Sequence, residues 1–245
     1  MKEFDAGTLA NGRTFGDENY YFLVAGEDVK GQTFSFVTRG KGKQNAATRI
    51  PIRIRISDYD KRQKFQQLRR GPNVYKNDSK DPNAEFMALI QLMADAGCWI
   101  DDLKLLYVVM PRYGNIVSGL EADAPGGTAN LGETRVQVAD REFDEEADLS
   151  VLAVYQPFPS WLQFSSGSYD EVQNISFALV EGKPTKLVEG AIEWGSVSLS
   201  EFDRWVKDRN DPSQYLSDTT KFVPMDGKVV LATMWLKNSL SGILW

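Results

Sequence analysis

The chain has 245 residues, 42% of them hydrophobic and 25% charged, with a net charge of −6, a single cysteine and no histidine. That length is ample for a buried core. The missing histidine excludes Ser-His-Asp and Cys-His nucleophilic devices and His-ligated zinc or iron, and one cysteine excludes an internal disulfide or a thiolate cluster.

In chain order, Tyr20 to Ala25 and Thr33 to Arg39 read as the arms of a hairpin, with Phe34 and Phe36 on one face. Arg49 to Ser57 alternates strictly: Ile50, Ile52, Ile54 and Ile56 fall on a core side, and Pro51, Arg53, Arg55 and Ser57 on the other, directed at solvent or a ligand. Ser57 and Asp60 resemble a capping box for a cationic outer helix that ends at Gly71-Pro72. A second helix, about Ala84 to Ala96, places Phe86, Leu89, Ile90 and Met93 on one buried stripe. Leu103 to Met110 reads as a buried strand, and Cys98 before it as a buried small thiol.

From Glu121 to Asp148 nine acidic residues oppose only Arg135 and Arg141, and Ala124 to Gly127 predicts a flexible loop. Strands are expected at Leu149 to Tyr155, Asn174 to Val180, Lys186 to Trp194 and Lys228 to Leu236, and a helix from about Leu199 to Arg209 capped by Ser198 or Ser200. Of the six tryptophans, Trp99, Trp194, Trp205 and Trp235 lie in apolar patterns and should be packed. Trp161 sits in an aromatic, proline-bounded contact loop, and the apolar Gly242 to Trp245 should pack on its own domain.

These elements imply an α+β, β-dominated protein, either a Greek-key barrel or a two-sheet sandwich with about three peripheral helices. Residues 1–245 are expected as one compact domain, with any subdomain seam at 121–134. The longest apolar run, Leu105 to Met110, is far short of the ~20 residues that cross a bilayer. Met1 to Phe15 has no signal-peptide character, so a cytoplasmic protein without membrane contact is expected.

Charge segregation is the main functional clue. Residues 39 to 70 hold eleven cations against Asp58 and Asp60, a net of +9 that leaves −15 on the remainder. Such a field attracts polyanions. The sequence therefore predicts a non-enzymatic nucleic-acid binder, single strands favoured, with Arg39, Lys41, Lys43, Arg49, Arg53, Arg55, Lys61, Arg62, Lys64, Arg69 and Arg70 on phosphates and Phe34 and Tyr59 as stacking faces.

The alternative is a self-assembling virion or other structural subunit, of phage or mobile-element style, in which acidic 142–148 meets basic 39–70 of a neighbour. The same acidic patch could lie on the basic groove of its own molecule, or be an ordinary solvated loop. No cofactor, metal or catalytic residue is assigned. Asp58/Asp60, Asp101/Asp102 and Asp144/Glu145/Glu146 are carboxylate sets that a divalent cation could use, and Asp102-Leu103-Lys104 and Glu181-Gly182-Lys183 match weakly the acidic-x-Lys pattern of metal-dependent nucleases.

Overall fold

A computed structural model describes residues 2–3, 21–27, 33–39, 45–70, 81–111, 119–130, 132–158, 162–163, 172–188, 190–209 and 223–244. The chain divides into two compact units. The first comprises 1–48, 126–142 and 158–174, and the second 49–125, 143–157 and 175–245.

In the first unit, β1 (Lys2–Glu3), β2 (Tyr21–Glu27) and β3 (Thr33–Arg39) form a three-stranded sheet in that order, with antiparallel pairings. The β2–β3 pair is the expected hairpin. The first residues of β4 (Asn45–Ile54) pair with β7 (Gly126–Thr128). Gly126 is needed here, because a Cβ at this position would come into the Ala47 carbonyl and the Thr48 side chain.

The second unit is built on strands in the order β11 (Glu193–Ser198), β5 (Leu103–Pro111), β4, β10 (Val172–Glu181) and β8 (Ser150–Tyr155). Strand β6 (Leu120–Asp123) pairs with the far end of β5, while β9 (Leu162–Gln163) pairs with the start of β10 in the first unit. The sheet is open, and the class is mixed α/β. The closed barrel of the finer expectation is not formed. Five α-helices are described where about three were expected. They are α1 (Tyr59–Arg70), α2 (Pro82–Asp95), α3 (Arg135–Glu146), α4 (Phe202–Arg209) and α5 (Gly227–Leu240).

Two of these replace other expectations. Lys228 to Leu236 is helix, not strand: Val229, Ala232, Thr233, Leu236 and Leu240 are buried at helical spacing, and the Asp226 carboxylate caps the helix by accepting from the Lys228 amide at 2.7 Å. The β-branched pair Val229-Val230 had suggested a strand, and the packing of one stripe overrides that propensity. Within the acidic segment, 121–148, the structure holds β6, β7 and α3, and of the loop expected at Ala124 to Gly127 the last two residues belong to β7. Lys186 to Trp194 is mostly irregular, and the strand begins only at Glu193.

The alternating strand is real, but its two faces are not inside and outside. Ile50 and Ile52 are fully buried, Ile54 is half-buried, and Arg49 and Arg53 are buried as well. β4 lies between β5 and β10, and its arginine face is covered over much of its length. The α2 stripe of Phe86, Leu89, Ile90 and Met93 is buried as the spacing predicts. Trp99 is exposed rather than packed, while the partly exposed Trp235 stacks on Tyr155 with ring centroids 5.8 Å apart. No helix among the described residues is long and apolar enough to cross a membrane.

Candidate active site

Helix α3 begins with a reciprocal cap. The Gln137 side chain accepts from the Thr134 amide at 2.9 Å, and the Thr134 hydroxyl accepts from the Gln137 amide at 3.4 Å. Val138 and Ala139 pack with Ala47 and Ala129, and further along the helix Phe143 and Ala147 pack with Leu106, Ala178 and Val180. That apolar stripe fixes the helix's rotation. Glu142, Glu145 and Glu146, at i, i+3 and i+4, then fall together on another side of it.

Arg141 organises the carboxylates at the start of this set. Its Nε and Nη2 donate to the two oxygens of Glu133 at 2.9 and 3.0 Å, its Nη1 to Glu142 Oε1 at 2.7 Å, and its Nη2 also to the Thr128 carbonyl at 3.0 Å. One guanidinium thus ties the turn before the helix to the helix itself and orients Glu142. The hydrogen bonds from Arg141, with a second from the Asn130 amide, hold the Glu133 carboxyl down at about 2, and the same contacts push the Arg141 pKa up. Gly127 completes the arrangement: a Cβ there would overlap the Glu142 carboxylate. At the other end of α3, Lys186 Nζ donates to the carbonyls of Glu145 at 2.8 Å and Asp144 at 3.2 Å, a cation where the helix dipole is negative.

A second acidic group is built differently. Glu121, Asp123 and Asp226 bring carboxylate oxygens within 4.8 Å of one another. Lys228 Nζ is already there, 3.0 Å from both Asp123 and Asp226. Burial pulls the Lys228 pKa down, but the two carboxylates outweigh it and the net direction is up. The ammonium supplies the positive charge, and the group reads as a latch between β6 and α5. Cys98 is inert by the same logic, since burial raises its thiol to about 11.

The residues expected to bind nucleic acid are not gathered on one surface. Lys41 and Lys43 lie outside the described residues, as do Trp161 and Trp245, and Phe34 and Arg39 are placed on β3 by their backbone alone. Arg49 is buried, its Nε donating to Ser176 Oγ at 3.3 Å and its guanidinium 5.9 Å from the Phe143 ring. Arg53 is buried too. Arg55, Lys64 and Arg70 are exposed, Lys61 sits over the Trp99 ring, and Arg62 over the ring of the exposed Tyr59. Arg69 is paired with Glu181 at 2.7 Å. The cationic count of this segment is therefore divided among interior packing, ion pairing and scattered surface positions.

No protein-family profile matches the chain, and no curated protein does. Among solved structures it is similar to one described as the crystal structure of an ADP compounds hydrolase, with 14% identity, a TM-score of 0.49, and coverage of 94% of this chain and 91% of that one. The dispersal of the arginines corrects the reading of residues 39 to 70 as one nucleic-acid-binding or assembly surface, because Arg49 and Arg53 are buried and Arg69 is paired with Glu181.

The residues missed by sequence reasoning are Gly127, Glu133, Arg141 and Glu142. A signal was present. Glutamates at 133, 142, 145 and 146 are interleaved with Val138, Ala139, Phe143 and Ala147 at helical period, a pattern hidden by reading 121–148 only for its net charge.

Proposed function

We propose that this protein is a hydrolase of the Nudix type that cleaves a phosphoanhydride bond with a divalent cation held by the carboxylates of α3. The observation that carries the reading is the Arg141 clamp, which fixes Glu133 and orients Glu142 in a helix whose final turn presents Glu145 and Glu146.

The donor set fits a hard cation. Carboxylate oxygens suit magnesium or manganese, which characteristically bind through a few carboxylates and the phosphates of the substrate; soft or imidazole-seeking metals would find no histidine and only the buried Cys98. The space left by Gly127 is the one the Glu142 carboxylate uses. Glu145 and Glu146, with the phosphates of the substrate, would hold the ion, which when bound would supply Lewis-acid polarisation of a phosphoryl oxygen and acidify a coordinated water. Glu133 stays ionised under Arg141 and acts as a strut. Arg141 keeps Glu142 from turning away and carries no proton itself.

ADP-linked diphosphates are the first substrates to try. Hydrolysis should require magnesium or manganese, stop with EDTA, and fall by ~10²-fold or more in kcat for Glu145→Gln and Glu146→Gln with little change in melting temperature. Folded protein that cleaves none of a panel of diphosphate compounds with either metal would reject the proposal.

A further inference from the structure

The last turn of α3, which carries Glu145 and Glu146, has no cation of its own. Its end carbonyls are answered from a segment far along the chain: Lys186 Nζ donates to the Glu145 carbonyl at 2.8 Å and to the Asp144 carbonyl at 3.2 Å. A helix end leaves carbonyls without intrahelical donors, and here one ammonium takes two of them.

Lys186 is itself held in place. Its carbonyl accepts from Trp194 Nε1 at 2.9 Å, and the hydroxyl of the preceding Thr185 donates to Asp148 Oδ2, just past the helix. Trp194 in turn packs on the apolar cluster that includes Phe143 and Ala147, the same end of α3. Residues 185, 186 and 194 thus close on the final turn and on the chain that leaves it. Lys183, three positions earlier, is exposed and takes no part in these contacts.

We propose that Lys186 is a positioning residue for the cation site of α3, holding the turn from which Glu145 and Glu146 project so that both carboxylates stand ready for one ion. The inference rests on the hydrolase reading above. In a frayed turn the ion would have to order its own ligands, and that ordering is subtracted from binding. Lys186 also acts in the other direction, because an ammonium near a divalent cation repels it. The two effects have opposite signs. Positioning prevails because Lys186 is exposed, so water and salt weaken its field, whereas its hydrogen bonds act directly on the turn.

The test is calorimetric binding of manganese to the full chain, with amide hydrogen exchange of the metal-free protein in EDTA. Native protein should bind manganese, and Glu145→Gln with Glu146→Gln should abolish binding. Lys186→Met should weaken it by ~3-fold or more, the scale set by a cation at a helix C-terminus. The same variant should speed exchange of the Ala147 amide, which donates to the Phe143 carbonyl at 2.8 Å. Lys186→Arg, which keeps donors for both carbonyls, should restore affinity and protection. Lys183→Met removes an equal charge without the contacts and should leave binding equal or tighter. Trp194→Phe, which deletes the indole donor to Lys186, should weaken binding as well and stands in if Lys186→Met does not fold. Native protein that binds no manganese would remove the hydrolase reading and this inference together. Native binding that is equal or tighter in Lys186→Met, or in Trp194→Phe where that variant stands in, would overturn the positioning role alone.

Discussion

The Arg141 guanidinium meets the Glu133 carboxylate with two nearly parallel bonds, Nε to Oε1 at 2.9 Å and Nη2 to Oε2 at 3.0 Å. This bidentate contact spans the loop that leads into α3, so the charge state of Glu133 controls how that helix is anchored.

Its pH dependence has a definite sign. The folded pKa of Glu133 is depressed to about 2, below that of the unfolded chain. The contribution is therefore present above the ordinary carboxylate pKa of ~4.3 and is lost as pH falls through the folded value. Melting curves between pH ~4.3 and ~2 should be less steep in pH for Glu133→Gln than for the native protein. An unchanged slope would detach Glu133 from the anchor.

Gly127→Ala is expected to act on the site more than on the fold. The added methyl overlaps the Glu142 carboxylate, which must turn out of its position. If the proposed hydrolysis is found, it should fall by ~10-fold or more in this variant while stability drops by only ~1 kcal/mol. Equal activity of the variant, measured in steady state, would show that Glu142 need not stand there.

For the sheet, Ile52→Ala should cost ~2 to 5 kcal/mol in denaturant unfolding, since Ile52 is fully buried in the strand between β5 and β10. Ile54→Ala, at a half-buried position, should cost clearly less. The opposite order would mean that the strand's end, not its middle, carries the packing.

Lys228→Met removes the charge from between Asp123 and Asp226 and leaves the buried Asp123 without this ammonium. A loss of ~3 kcal/mol or more is expected at neutral pH. Adding Asp123→Asn should return much of it, and a double mutant no better than the single would argue against direct coupling.

Much of the local architecture is legible in the residues. The isoleucine alternation locates β4, and Phe86, Leu89, Ile90 and Met93 locate α2, because burial of one face imposes a period. What alternation cannot reveal is what covers the other face. Arg53 and Arg55 have the same parity, yet one is interior and the other exposed, a difference set by elements distant in sequence. Helix α5 was hidden by its β-branched residues, and α3 by its charge. Of the candidate site, the sequence showed Glu145 and Glu146 only within Asp144/Glu145/Glu146, one of three carboxylate sets open to a divalent cation. It did not show the Arg141 clamp, because the partners of Arg141 are eight residues back and one forward and acquire meaning only once the chain has turned.

The segment leading into α5 has one more effect. Ala122 donates from its amide to the Pro224 carbonyl at 2.8 Å and accepts from the Asp226 amide at 2.9 Å, forming a parallel bridge with Met225. The side of β6 turned away from β5 thereby has its backbone groups satisfied from within the chain, and a foreign strand finds nothing there to add to. Substitutions that loosen residues 224–226 should consequently show up first as concentration-dependent aggregation, before any loss of secondary structure, because a strand edge that is normally sealed would be opened to neighbouring molecules.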